Sequence, residues 1–137
     1  TYDGECPMKL ESVAHDDGTR INAEYIDQSQ GGRIETAHVL EEIIRMRRNG
    51  VSRRALAFAA QWYLGEALSK IACATANEQS VRHVGFSGGV ALNRVIMRAF
   101  DATVRSFGLE VIHHKNTPPG DGGVSLGQAA VAATSGI

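Results

Sequence analysis

The sequence predicts an α/β fold, a mainly parallel sheet flanked by helices, and three observations carry that reading. Apolar residues recur at three- and four-residue spacing over 34–48 and again over 52–77, which marks two helices. A short β-like run, Arg82 to Phe86, passes through a glycine pair directly into a third helical stripe. A second such run, Leu109 to His113, follows that helix, and strand-helix-strand order implies parallel strands joined by a helical crossover.

The elements follow in order. Pro7 to about His15 holds tolerable helix formers and predicts a short helix. Asp16-Asp17-Gly18 is a turn signal, and Arg20 to Ile26 alternates Ile21, Ala23 and Tyr25 with polar residues, as a half-buried strand does. Gly31-Gly32 ends it. The helix over 34–48 uses Ile34, Ala37, Leu40 and Ile44, places Arg45, Arg47 and Arg48 in its last turn, and stops at Asn49-Gly50. Ser52 caps the next helix, which packs on its predecessor. Its many alanines, with Gly65 and Ser69, permit close approach of a further element. Leu92 to Phe107 forms the third stripe, ending at Gly108, and a small-residue helix runs from about Val124 to Ala133.

Composition excludes several functions. The 137 residues carry 14 Lys+Arg against 15 Asp+Glu, a formal charge of −1, so no general field favours nucleic acid. No run approaches the roughly 18 apolar residues of a membrane span, and the start TYDGECPMKLE lacks the basic-then-apolar layout of a signal peptide, so membrane and secretory roles are not expected. Cys6 and Cys73 lack disulfide-scaffold or zinc spacing, which fits reduced thiols in the cytoplasm. Residues 1–137 read as one unit without repeat or linker, and the missing initiator Met suggests a piece of something longer.

Two glycine loops carry the chemistry. Phe86-Ser87-Gly88-Gly89-Val90-Ala91-Leu92-Asn93 sits at the carboxyl end of a strand and opens a helix, where free N–H groups and the helix dipole favour a phosphate. Gly88 and Gly89 lack the Cβ atoms that would hold a nucleotide off the backbone, and Asn93, placed one turn inside the helix, could reach the same ligand. The spacing matches neither a Walker A loop nor G-x-G-x-x-G, and a plain tight turn remains the competing reading. Thr117-Pro118-Pro119-Gly120-Asp121-Gly122-Gly123 precedes the last helix; Asp121 either caps it or offers an oxygen to a cation near phosphates. Both loops belong to one sheet edge and could face one ligand. His113 and His114 point to opposite faces of a strand and cannot share a metal, while His15, His38 and His83 stand alone.

The strings TYDGECPMKLESVA, VGFSGGVALNRV and TPPGDGGVSLGQA resemble the carboxy-terminal region of the hydrogenase-maturation carbamoyltransferase family HypF, over essentially the whole chain. A more distant resemblance is to TsaD, the tRNA threonylcarbamoyl-transfer family, whose metal-binding loop reads differently from PPGDGG. The HypF resemblance implies a partial actin-like, RNase-H-like ATPase fold of which this chain is the terminal lobe. It implies that Ser87, Gly88, Gly89 and Asn93 touch ATP or ADP and that Asp121 binds a divalent metal, whether zinc, iron or magnesium. It further implies carbamoyl phosphate as substrate, a carbamoyl-adenylate, and transfer to the terminal cysteine of a HypE-like acceptor. No catalytic residue is assigned. The acylphosphatase-like, zinc-finger and YrdC-like modules and the first lobe of such proteins have no counterpart here, so the resemblance implies the remaining domains of a parent as partners and no catalysis by the lobe alone. A non-catalytic docking module is the contrasting expectation.

Overall fold

The computed structural model describes residues 4–22, 26–27 and 32–135. Helix α1 spans Glu5–Val13, starting two residues before the predicted Pro7 because a proline fits within a first turn. The Asp turn forms as expected: Asp16 Oδ1 accepts from the Gly18 amide at 3.1 Å and Asp17 Oδ1 from Thr19 at 3.0 Å.

The strand expected over Arg20 to Ile26 is corrected. Residues 20–22 are irregular, and residues 23–25 lie outside the described residues. The Arg20 side chain is held locally, paired to Asp16 at 2.8 Å and stacked 4.9 and 4.7 Å from the rings of Phe58 and Trp62. Ile21 nonetheless turns inward, 4% exposed. Among the described residues of this segment only Ile26–Asp27 (β1) forms a strand, pairing antiparallel with Arg33–Ile34 (β2). Of the Gly31-Gly32 stop, Gly31 lies outside the described residues; Gly32 has φ +88° and sits where a Cβ would press on Ile71 at 2.8 Å.

Helix α2 spans Thr36–Arg48 and α3 Arg53–Glu78, with Ser52 Oγ accepting from the Ala55 amide at 3.1 Å as its cap. Ile34, expected in α2, belongs to β2. α2 closes in a Schellman motif: Val51 N–H donates to Met46 O, Gly50 N–H to Arg47 O, and Gly50 takes φ +89°. α3 closes the same way with Ser80 at φ 56° in the glycine position.

Strand β3, His83–Gly85, pairs in parallel with β4, Glu110–Ile112, joined by helix α4, Arg94–Ser106. Each strand is one residue shorter at both ends than the sequence predicts. The α/β layer is therefore present as a small parallel sheet covered by α3 and α4. Ile21, Met46, Leu56 and Tyr63 form one core cluster beside α2; Cys73, Val84, Phe100 and Val104 form a second beneath the sheet. Burial pushes the Cys73 thiol pKa up, and Cys6 is exposed.

The close approach anticipated for α3 occurs at Gly65, where an added Cβ would stand 2.3 Å from the Ile96 carbonyl oxygen of α4. Helix α5, Val124–Ser135, differs from the others. Like α1 it buries no described side chain, but unlike every other α-helix described it contains no charged residue, and Val124, Leu126 and Val131 are 55, 58 and 64% exposed. Among the described residues no helix is long and apolar enough to cross a membrane.

Candidate functional site

The two glycine loops meet. Leaving β3 at Phe86, the chain reaches Gly88 with φ 101° and ψ 171°, a conformation essentially reserved for glycine. The Gly88 amide donates to the Pro119 carbonyl at 2.7 Å, and the Ser87 hydroxyl donates to the same oxygen at 3.2 Å. A Cβ on Gly120 would stand 3.6 Å from Gly89 Cα, so the backbones are nearly in contact. Their convergence follows from β3 and β4 running in parallel, which sends both following loops to one edge.

Beyond Gly88 the chain makes a 3₁₀ turn, Gly89–Leu92, before α4 begins. That turn moves Asn93 from one turn inside the helix, as expected, to its N-cap. Asn93 Oδ1 accepts from the Val95 and Ile96 amides, both at 3.0 Å, and Glu11 Oε1 from α1 accepts from the Arg94 amide at 3.0 Å. The expectation that the amides opening α4 await a phosphate is therefore corrected: three of them already have side-chain acceptors. The open donors lie earlier, since the amides of Gly89 and Val90 have no acceptor among the described residues.

Asn93 is 9% exposed, and its Nδ2 donates to Gln61 Oε1 at 2.6 Å. It also lines an apolar groove of 540 Å³ between α1 and the 3₁₀ turn, with Pro7, Met8, Glu11, Gly89 and Leu92. Cβ atoms on Gly88 and Gly89 would meet nothing within 4 Å among the described residues, so both leave their surroundings there open. Gly122 and Gly123 are different. Cβ atoms there would fall 3.0 Å from Pro118 Cγ and 2.8 Å from the Pro118 carbonyl, so these two serve the loop's own packing.

Asp121 opens a second 3₁₀ turn, Asp121–Gly123, beside this junction. Of the two roles left open for it, the cap is not formed: its exposed carboxylate accepts no hydrogen bond and joins no ion pair among the described residues. It remains available as an oxygen donor. No three His, Cys, Asp or Glu side chains gather to hold a metal among the described residues, so Asp121 can contribute one ligand to a site completed from elsewhere. His114 Nε2 lies 3.0 Å from Ser87 Oγ, whereas His113 Nε2 lies 3.3 Å from Asp101, so the neighbouring histidines do diverge.

Sequence reasoning missed Glu11 and Gln61. Gln61 carried a signal, a lone carboxamide on the apolar face of α3; Glu11 carried none, because its partner is 83 positions away.

A family model described as "Carbamoyltransferase, Kae1-like Domain, second subdomain" matches residues 1–128. The chain is 30% identical over 128 residues to a probable carbamoyltransferase HypF of Methanocaldococcus jannaschii, covering 93% of this chain and 16% of that protein. It is 29% identical to carbamoyltransferase HypF2 of Cupriavidus necator, covering 96% and 19%. Its fold superposes on the crystal structure of T. kodakarensis HypF with a TM-score of 0.82 at 31% identity, covering 98% of this chain and 17% of that one. A full-length HypF in a phosphate- and nucleotide-bound form gives 0.84 at 25% identity, covering 97% and 18%. The chain thus spans under a fifth of the length of these relatives. It belongs to the carbamoyltransferase family of the HypF type, as the second subdomain of a Kae1-like domain.

Proposed function

We propose that this chain forms one wall of a nucleotide-and-metal cleft in a longer HypF-type carbamoyltransferase, acting in the cytoplasm. The observation that carries the reading is the junction of the two loops, where the free Gly89 and Val90 amides, an unpaired Asp121 carboxylate and an apolar groove lie together. A phosphate chain suits the amides, and the nucleoside suits the groove, whose Pro7, Met8 and Leu92 offer apolar surface to a base. Ser87 and the glycines border the phosphates, Asn93 floors the groove, and Asp121 supplies one oxygen to a divalent cation. Such a cation would neutralise phosphate charge; the chain's own residues bind and orient the nucleotide.

In this reading the whole protein uses carbamoyl phosphate and ATP to carbamoylate the terminal cysteine of a HypE-like acceptor during nickel-iron hydrogenase maturation. The facing wall and the remaining metal ligands come from the first subdomain, and the lobe alone does not catalyse, because half a cleft neither excludes water nor completes a coordination sphere. In the full-length protein Asp121→Asn is expected to lower metal retention at least about tenfold and carbamoyl transfer with it. Metal content by elemental analysis and a transfer rate both equal to the parent's would remove Asp121 from the site.

Helix α5 supports the same reading, since an uncharged helix with no buried side chain needs a cover, and the other subdomain is the proposed one. The 137-residue chain by itself should light up an apolar dye and self-associate. A monomer that leaves the dye dark would show that α5 needs no partner.

A further inference from the structure

We infer that Gln61 is a positioning residue for the nucleotide-binding loop, acting through Asn93; the inference rests on the nucleotide reading above. Gln61 lies in the middle of α3, 4% exposed, and its carboxamide has no freedom of orientation. Nε2 donates to the Ala57 carbonyl at 2.7 Å and to the Leu10 carbonyl at 3.3 Å, and two carbonyls cannot be served by an oxygen. Oε1 must then face Asn93, from which it accepts at 2.6 Å.

That contact decides which end of Asn93 points where. With Nδ2 committed to Gln61, Oδ1 faces α4 and accepts from Val95 and Ile96. In the reversed orientation an NH2 group would confront two amide N–H groups while a buried oxygen faced another oxygen. A line of donors and acceptors thus runs from α1 and α3 through two carboxamides into the first turn of α4.

The functional consequence comes from where Asn93 sits. The segment 88–93 is fastened at one end by the Gly88 amide on Pro119 and at the other by Asn93. Between the fastenings stand the open Gly89 and Val90 amides. Without its Gln61 acceptor, the Asn93 amide group is buried and unpaired, which is costly enough to turn the side chain, release the cap and move those amides.

The test measures nucleotide Kd, with ADP as the probe, and Tm in the full-length protein for four variants. Gln61→Met keeps the volume and removes the polarity; Kd should rise about tenfold. Gln61→Glu restores an acceptor for Asn93 while setting a carboxylate against two carbonyls, so it should lose more Tm than Gln61→Met yet hold Kd within about threefold of the parent. Val104→Ala empties space in the other core cluster and should lower Tm with Kd unchanged. A Kd that follows Tm across these three, or an unchanged Kd in Gln61→Met, overturns the inference. If Gln61→Glu does not fold, Gln61→Met against Val104→Ala decides alone. Gly89→Val separates the two levels: binding lost there but kept in Gln61→Met overturns only the positioning role, and binding kept in Gly89→Val overturns the site and the role together.

Discussion

Gly89→Val is expected to weaken nucleotide binding at least about a hundredfold while leaving Tm within about 2 °C of the parent. The two halves of this expectation have separate causes. A Cβ on Gly89 meets no atom of the described residues within 4 Å, and the residue needs no left-handed backbone, so the substitution brings neither a clash nor backbone strain among them. The added branch would stand in open space on a residue that lines the groove and carries one of the free amides, where a bound phosphate chain would meet it. Its neighbour behaves differently. Gly88 sits at φ 101°, and Gly88→Ala should cost about 1–3 kcal/mol of stability through backbone strain alone, whatever happens to binding. Nucleotide titration beside thermal unfolding separates the pair. Equal affinity in Gly89→Val and the parent would empty the proposed site of its phosphate contact.

Gly65→Ala should produce the largest loss of stability among single methyl additions, about 3 kcal/mol, or about 10 °C in Tm. Helix propensity alone gives the opposite sign, because alanine is better than glycine inside a helix by about 1 kcal/mol. Sterics override it: the new methyl would sit 2.3 Å from the Ile96 carbonyl oxygen and 2.9 Å from Ala99 Cβ, and a backbone oxygen cannot rotate away. Relief requires α4 to move off α3, which also breaks the contact of buried Ser69 with the Phe100 carbonyl at 3.5 Å. Circular dichroism on heating checks this, and a rise in Tm would show that α3 and α4 are not so closely joined.

How much of this was readable in the sequence varied with the range of the interaction. The helices were readable because periodicity and caps are local: Ser52, the arginines ending α2 and the Gly50 stop all behave as their positions imply. The end of α3 fell close to where its apolar stripe fades, although Ser80 gives no glycine signal for the motif formed there. The strand over Arg20 to Ile26 failed because alternation records only which side chains face inward. Ile21 does so, but Arg20 is claimed by Asp16 and two aromatic rings. At the site, the glycine loops and their shared edge followed from the order of elements. Asn93 was misplaced by one turn because four residues of 3₁₀ geometry precede α4, and sequence periodicity does not distinguish these from helix. Glu11 and Gln61 act on partners 83 and 32 positions distant, beyond what spacing encodes.

The β3–β4 pair has one further consequence. Two strands in parallel satisfy each other along a single side, and among the described residues neither has a neighbour on its outer flank. Parallel ribbons of this width have little independent standing in water, and their free flanks recruit whatever extended chain is nearby. Among the described residues the flanks of this pair are therefore open to additional strands. During synthesis of a longer polypeptide the order in which those strands arrive would decide between correct annealing and entanglement with a neighbouring molecule.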